Sequence, residues 1–323
     1  MYLPFVKSKG HPVMGLQPLK LKDWIEIDEN FVSQLGYKAW LLAHRYEDVF
    51  VSCPETQPAQ QECLDLLTTH LIQHFPHVYQ PIGNGQVENE QIENEQIEGE
   101  QIERKAIAPS ALINLRTKQT WRCSDFSRSP LDLAARLVQE DLCIMLPAEA
   151  SYRLAAASVC FPLRWNLKEK LSQPIAQIHQ QVPSYADRLA RPVNHVFARL
   201  KEDYPSLRFN WSIVDSTELH LTQNKHVTGF DPGITARNIE EKLWLRVERQ
   251  TLRRLPISKG ILFTIRTYVY PLGQVVKDSK LAVQLADAIR SLHPDMQKYK
   301  NLLPFRQALL TYLDSRAVSH SCV

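Results

Sequence analysis

The chain has 323 residues, of which 44% are hydrophobic, 23% charged and 9% aromatic, with a formal net charge of +3. That length can bury a sizeable core, as one large domain or two small ones. A charge so close to balance argues against nucleic acid or an anionic membrane as the main partner, since both call for a concentrated basic patch.

No apolar run approaches the ~20 residues of a membrane-spanning helix, and Met1 to Gly10 has no apolar core like that of a signal peptide. The expected compartment is the cytoplasm. Six cysteines (Cys53, Cys63, Cys123, Cys143, Cys160, Cys322) are scattered without a C-x-x-C pair, which favours neither a disulfide framework nor a zinc site. Cys143 and Cys160 sit in apolar runs and read as small buried hydrophobes.

Residues 1–85 read as an N-terminal helical region packing on the core. Asp28 is placed to cap a helix carrying Phe31, Leu35 and Trp40. From Glu62 to Phe75, Leu64, Leu66, Leu67, Leu71 and Ile72 recur at helical spacing. His70, His74 and His77 follow, but no Glu or Cys at ligand spacing completes a metal set, so a surface helix end is the expectation. Residues 86–105 repeat an acidic Q-I-E-N-E pentad without aromatics and read as a solvated low-complexity insertion that contributes no chemistry.

Residues 106–275 form the expected core. Leu112 to Trp121, Leu137 to Leu146 and Tyr152 to Phe161 have strand character, with a helical turn at Asp132 to Arg136. Ala155, Ala156 and Ala157 allow close approach of a neighbour or a flat ligand. Leu167 to Leu200 is a helical insertion, broken at Val182-Pro183 and restarted at Ser184, with a kink or restart expected at Pro192. Arg208 to Asp215 returns to strand, a polar loop runs from Thr217 to Asn238, and two more strands flank Pro256 to Gly260. Residues 276–323 carry two helices, Ser279 to Leu292 and Pro294 to Leu313. Consecutive strands joined by short turns favour an antiparallel sheet of five or six strands, with helices gathered on one face, in an α+β fold.

The strand pair from Trp244 to Pro271 carries an awkward charge. Leu245, Val247, Arg249, Thr251, Arg253 and Leu255 share one face of the first strand; Leu262, Thr264, Arg266, Tyr268 and Tyr270 share one face of the second. Arg249 between a valine and a threonine calls for an anionic partner, because an unpaired buried charge is very costly. A plainer reading is cross-strand pairing of Arg246 or Arg266 with Glu248 or Glu140. His179 ends a short helical run before Val182-Pro183, a setting that suits either a structural imidazole or a single ligand. His195 lies off its helix's apolar stripe, and His220 and His226 fall in the polar loop. No phosphate-binding glycine loop, H-E-x-x-H or G-x-S-x-G is present, and nothing reads as an FMN or NADPH site.

The strings G-L-Q-P-L with D-W-I-E-I-D, L-V-Q-E-D-L, A-A-S-V-C-F-P-x-x-W, I-H-x-x-V-P-x-Y-A-x-R-L, R-x-N-W-S-I-V-D and V-E-R-Q-T-L-R-R-L-P-x-S-x-x-I-L-F-T-I-R-T-Y run in order from about Gly15 to Pro271. Together they resemble the α-subunit family of haem-dependent oxidative N-demethylases. The resemblance implies a PAS-like antiparallel sheet that binds haem b. It also implies oxidation of a small secondary amine by O2 to a primary amine and formaldehyde. Electrons would come from a separate flavin (FMN) reductase, with a tetrahydrofolate-binding subunit alongside. On that basis His179 is the expected iron ligand and Arg249, Arg253 and Arg266 the expected contacts of the haem propionates, with Arg249 first. Glu248, Trp211 and Tyr268 would meet a protonated amine. The family pattern I-H-x-P-V-P has Gln181 in place of its first proline here, which loosens the turn beside His179. The alternative is a PAS-type haem or small-ligand sensor without turnover.

Overall fold

The computed structural model describes residues 1–7, 14–82, 109–149, 151–222 and 231–318. The acidic repeats and His226 lie outside the described residues. In chain order the strands are β1 (Gln17–Pro18), β2 (Phe50–Ser52), β3 (Tyr79–Ile82), β4 (Ala111–Asn114), β5 (Gln119–Arg122), β6 (Asp141–Pro147), β7 (Tyr152–Ser158), β8 (Ser206–Val214), β9 (Trp244–Arg254) and β10 (Ile261–Pro271). Seven of them form one antiparallel sheet in the order β1-β8-β9-β10-β6-β7-β2, and β3-β4-β5 form a small second sheet. The α+β class and the antiparallel pairing stand.

Four local expectations change. The run Leu112 to Trp121 is two short strands folded back on each other, not one strand of the main sheet. Asp28 does not cap the helix Phe31–His44, whose N-cap is Asn30; its carboxylate is drawn to Arg266 and Gln139 instead. Ser184 takes a left-handed φ of 58° without a side-chain cap, and a π-helical turn, Tyr185–Leu189, leads into the helix Ala190–Arg199. Pro192 is the third residue of that helix, directly after the π-helical turn, in line with the restart expected there. The C-terminal region holds three helices, Ser279–Ser291, Pro294–Tyr299 and Arg306–Val318, because Pro304 and a left-handed Asn301 interrupt the second half.

Register decides which side chains share a face. Arg249 lies opposite Arg266 and Phe209, and Val247 lies opposite Tyr268 and Trp211. One face therefore carries Phe209, Trp211, Leu245, Val247, Arg249, Arg253, Arg266 and Tyr268. N-terminal helices, including Gln57–His74 and Pro130–Leu137, cover its β6 side, and the C-terminal helices cover its β8 side. Helices are not confined to that face. The insertion packs on the other one, where Ile175, Ile178 and Phe197 meet Cys143, Met145, Leu252 and Ile261. Each such apolar side chain contributes roughly 1.5–3 kcal/mol on burial. Arg208, Asn210, Glu248 and Gln250 share this insertion face toward its β8–β9 side. Apolar burial anchors the insertion over β6 and β7, while the surface beside it is polar.

At the start of β6, Lys38 is fully buried; its ammonium donates to the carbonyls of Val138 and Glu140 and lies 3.9 Å from Asp141. Asp141 in turn accepts from the N–H groups of Cys160 (2.8 Å) and Phe161 (2.9 Å). These bonds tie the helix Phe31–His44 to the chain leaving β7.

Candidate functional site

The helix-backed face holds the arginines first connected with a bound anion, and each meets protein groups there. Arg249, 2% exposed, has its Nε 3.1 Å from a Glu26 oxygen and donates to the carbonyls of Asp23 and Trp24. Arg266, fully buried, donates to Asp28 (2.6 Å) and Gln34 (2.7 Å). Arg253 stacks over Trp24 at 4.5 Å. Tyr268 donates to Glu26, which also accepts from Tyr2 at 2.5 Å. Trp211 is buried against Phe5 and Val247. The anion that Arg249 requires is thus Glu26, supplied by the segment that crosses this face. Arg246 points to the insertion face and holds the carbonyls of Phe161 (2.6 Å) and Leu219 (3.1 Å) rather than a carboxylate.

The insertion face gathers a different set. His179 follows the one-turn helix Ile175–Ile178, and its Nδ1 lies 2.9 Å from the Ile175 carbonyl. A carbonyl only accepts, so Nδ1 carries the proton and Nε2 presents its lone pair. Tyr185, brought round by the π-helical turn, stacks on the imidazole at 4.9 Å with an 8° interplanar angle. Burial, then the charges of Arg208 and Lys170, hold the His179 pKa below the ordinary range, against the opposing Ile175 hydrogen bond. The ring is therefore a neutral, oriented imidazole at pH 7.

Arg208 on β8 completes this group. No hydrogen bond reaches its guanidinium from any described residue, and burial lowers its pKa despite Glu248, Tyr299 and Tyr185 nearby. On β9, Glu248 accepts at one oxygen, Oε2, from Gln250 (2.8 Å) and Asn210 (3.3 Å). Lys300, just past the helix Pro294–Tyr299, closes the β8 edge by donating to the Trp211 carbonyl and to Asn210 Oδ1 (3.2 Å). Both Arg208 and Lys300 are half-buried.

Desolvation lowers Lys300 to about 8, opposed by Glu248 and reinforced by Arg208. The sign for stability follows from proton counts. Between pH 8 and 10 the unfolded lysine, at its ordinary value of about 10.4, still holds the proton that the folded one has lost, so stability rises with pH across that window. Thermal midpoints of the ligand-free protein from pH 7 to 10 should show this rise, and K300M should flatten it.

Sequence reasoning placed His179 and Glu248, and the structure brings these two to one face. It sets Arg249, Arg253, Arg266, Trp211 and Tyr268 on the other. Arg208 and Lys300 were missed. The signal for Arg208 lay in β8 itself, where Arg208, Asn210 and Ser212 alternate with Phe209, Trp211 and Ile213 and so mark a polar face. His195 is exposed, and His220 directs Nδ1 to the Cys160 carbonyl at 2.8 Å. A separate hollow of about 270 Å³ between Tyr46, Glu47, Phe50, Val51, Lys168 and Leu171 offers neither imidazole nor thiol. Among the described residues no three His, Cys, Asp or Glu groups gather around one point, and no helix is long and apolar enough to cross a membrane.

The insertion face thus carries a neutral imidazole with Nε2 unbonded and a guanidinium that makes no hydrogen bond among the described residues. Residues 15–310 match the family described as haem-dependent oxidative N-demethylase, alpha subunit-like. The chain belongs to that family. The family is haem-dependent, and an alpha subunit is one chain of a multi-subunit assembly. The residues present fit a haem: His179 offers one imidazole whose Nε2 is unbonded, and Arg208 a cation that no described carboxylate satisfies within hydrogen-bonding distance.

Proposed function

We propose that this chain is the catalytic subunit of an oxidative N-demethylase that holds haem b against the insertion face of a PAS-like sheet. The observation that carries the reading is His179, with Nδ1 tied to Ile175 and Nε2 open, on the same face as Arg208, which makes no hydrogen bond among the described residues. His179 would bind the iron and Arg208 a propionate. The haem-bearing core is taken as residues 106–275, with 1–85 and 276–323 packed on it.

The substrate is a small secondary amine of the dimethylamine kind. One such amine, O2, two electrons and two protons give the primary amine, formaldehyde and water. When bound, the haem supplies the oxygen chemistry. The chain's own residues do the rest. Glu248 pairs with the protonated amine through its free Oε1 and holds the N-methyl group in reach, with Oε2 anchored by Gln250 and Asn210. Tyr185, stacked on the imidazole, holds the orientation of the His179 ring. Electrons come from a separate FMN reductase, formaldehyde passes to a tetrahydrofolate-binding subunit, and the complex works in the cytoplasm. Arg249, Arg253, Arg266, Trp211 and Tyr268 stay outside this pocket.

Purified protein supplied with hemin is expected to show a Soret band at one haem per chain, and with a reductant to release formaldehyde from dimethylamine. A missing band at stoichiometric hemin overturns the reading. Arg208→Ala should weaken haem binding by about 10- to 100-fold, the equivalent of one charge-assisted hydrogen bond at ~1.5–3 kcal/mol, while leaving the Soret position in place. Hemin titration measures it.

A further inference from the structure

We infer that Lys300 is the positioning residue that sets the amine-binding carboxylate, acting through Asn210. The inference rests on the reading of Glu248 as the amine contact. Lys300 has only hydrogens to offer, so the atom of Asn210 that faces it at 3.2 Å must be Oδ1. An ionised Glu248 has only lone pairs, so the atom facing it at 3.3 Å must be Nδ2. The two contacts fix the amide's orientation together. With Nδ2 and the Gln250 amide both on Oε2, Glu248 is locked by one oxygen and its Oε1 accepts no hydrogen bond from any described residue. That oxygen is free for a cationic ligand.

The lock comes from outside the sheet. Lys300 is anchored a second time by the Trp211 carbonyl and lies 5.3 Å from the centre of the Trp211 ring. Without it, Asn210 can rotate its oxygen toward Glu248 and turn a donor into a repulsive acceptor. The charged groups that face Lys300 are Glu248 and Arg208. A purely electrostatic Lys300 predicts the opposite effect, because removing one cation should favour the binding of another.

Calorimetric titration of haem-loaded protein with dimethylammonium chloride at pH 7 separates the two. K300M should weaken binding at least fivefold with the Soret band unchanged, K300R should stay within about twofold of the parent, and Asn210→Leu should behave like K300M. Unchanged or tighter binding in K300M overturns the inference, as does a K300R as weak as K300M. A crystal structure of K300M decides independently of any amine. Asn210 turned away from Glu248 supports the relay, and an unmoved Asn210–Glu248 pair overturns it. If the parent protein binds haem but no dimethylammonium, the amine reading fails, and the crystal structure still settles the role of Lys300.

Discussion

Replacing His179 with alanine is expected to abolish the native Soret signature and to weaken haem binding by more than about 100-fold. Loss of a group that only orients a metal ligand already costs 10- to 100-fold, and this change removes the ligand itself. Added imidazole should enter the vacated space and restore the band, because Tyr185 and the Ile175 carbonyl remain to cradle it. A spectrum unchanged by the substitution would move the ligand elsewhere. The pH dependence gives a second check. The proton on a free imidazole competes with iron below about pH 6.5. Because burial and the Arg208 and Lys170 charges lower the His179 pKa, the lone pair stays available as pH falls through that value. The decline of haem affinity with acid should therefore set in at a lower pH than a free imidazole would give.

Arg266→Ala should destabilise the ligand-free protein by roughly 3–5 kcal/mol, the cost of leaving a buried partner uncompensated. The partners at stake are Asp28 and the fully buried Glu140, whose pKa burial already raises and Arg266 does most to hold down. Arg249→Ala acts in the same direction through Glu26, which keeps its two tyrosine donors and so loses less. Urea titration of the ligand-free chain measures both. Haem uptake by the fraction that remains folded should match the parent. Loss of haem at undiminished stability would mean instead that these arginines serve the propionates.

Much of the fold was legible because it follows from period and punctuation. The alternation along Trp244 to Pro271 grouped Arg249 with Arg253 on one strand and Arg266 with Tyr268 on the next, the turn residues Pro256 to Gly260 set the hairpin, and the register then joined the two sets on one face. What alternation cannot supply is the identity of the layer on each face. Glu26 and Asp28 sit in an irregular segment with no periodic mark that would pair them with strands more than 200 positions away. Haem propionate was therefore the first anion considered for Arg249 and strand carboxylates the plainer one, whereas its partner is Glu26 of that irregular segment. His179 was legible as an oriented imidazole because the following Val-Pro constrains its neighbourhood. Lys300 was not, since its role depends on where the helix Pro294–Tyr299 meets the edge of β8.

The pairing of that irregular segment with the last hairpin also has a consequence for biogenesis. Asp28 and Arg266 are separated by 238 positions. At a synthesis rate of ~5–20 residues per second, the acidic segment leaves the ribosome roughly 12 to 48 seconds before its arginine partner exists. Until the end of that interval the helix Phe31–His44 and its neighbours lack the last hairpin, which supplies Leu255 and Leu262 to their core. Closure of the sheet is thus a late event of high contact order, and it should be slow and prone to aggregation when expression outruns folding.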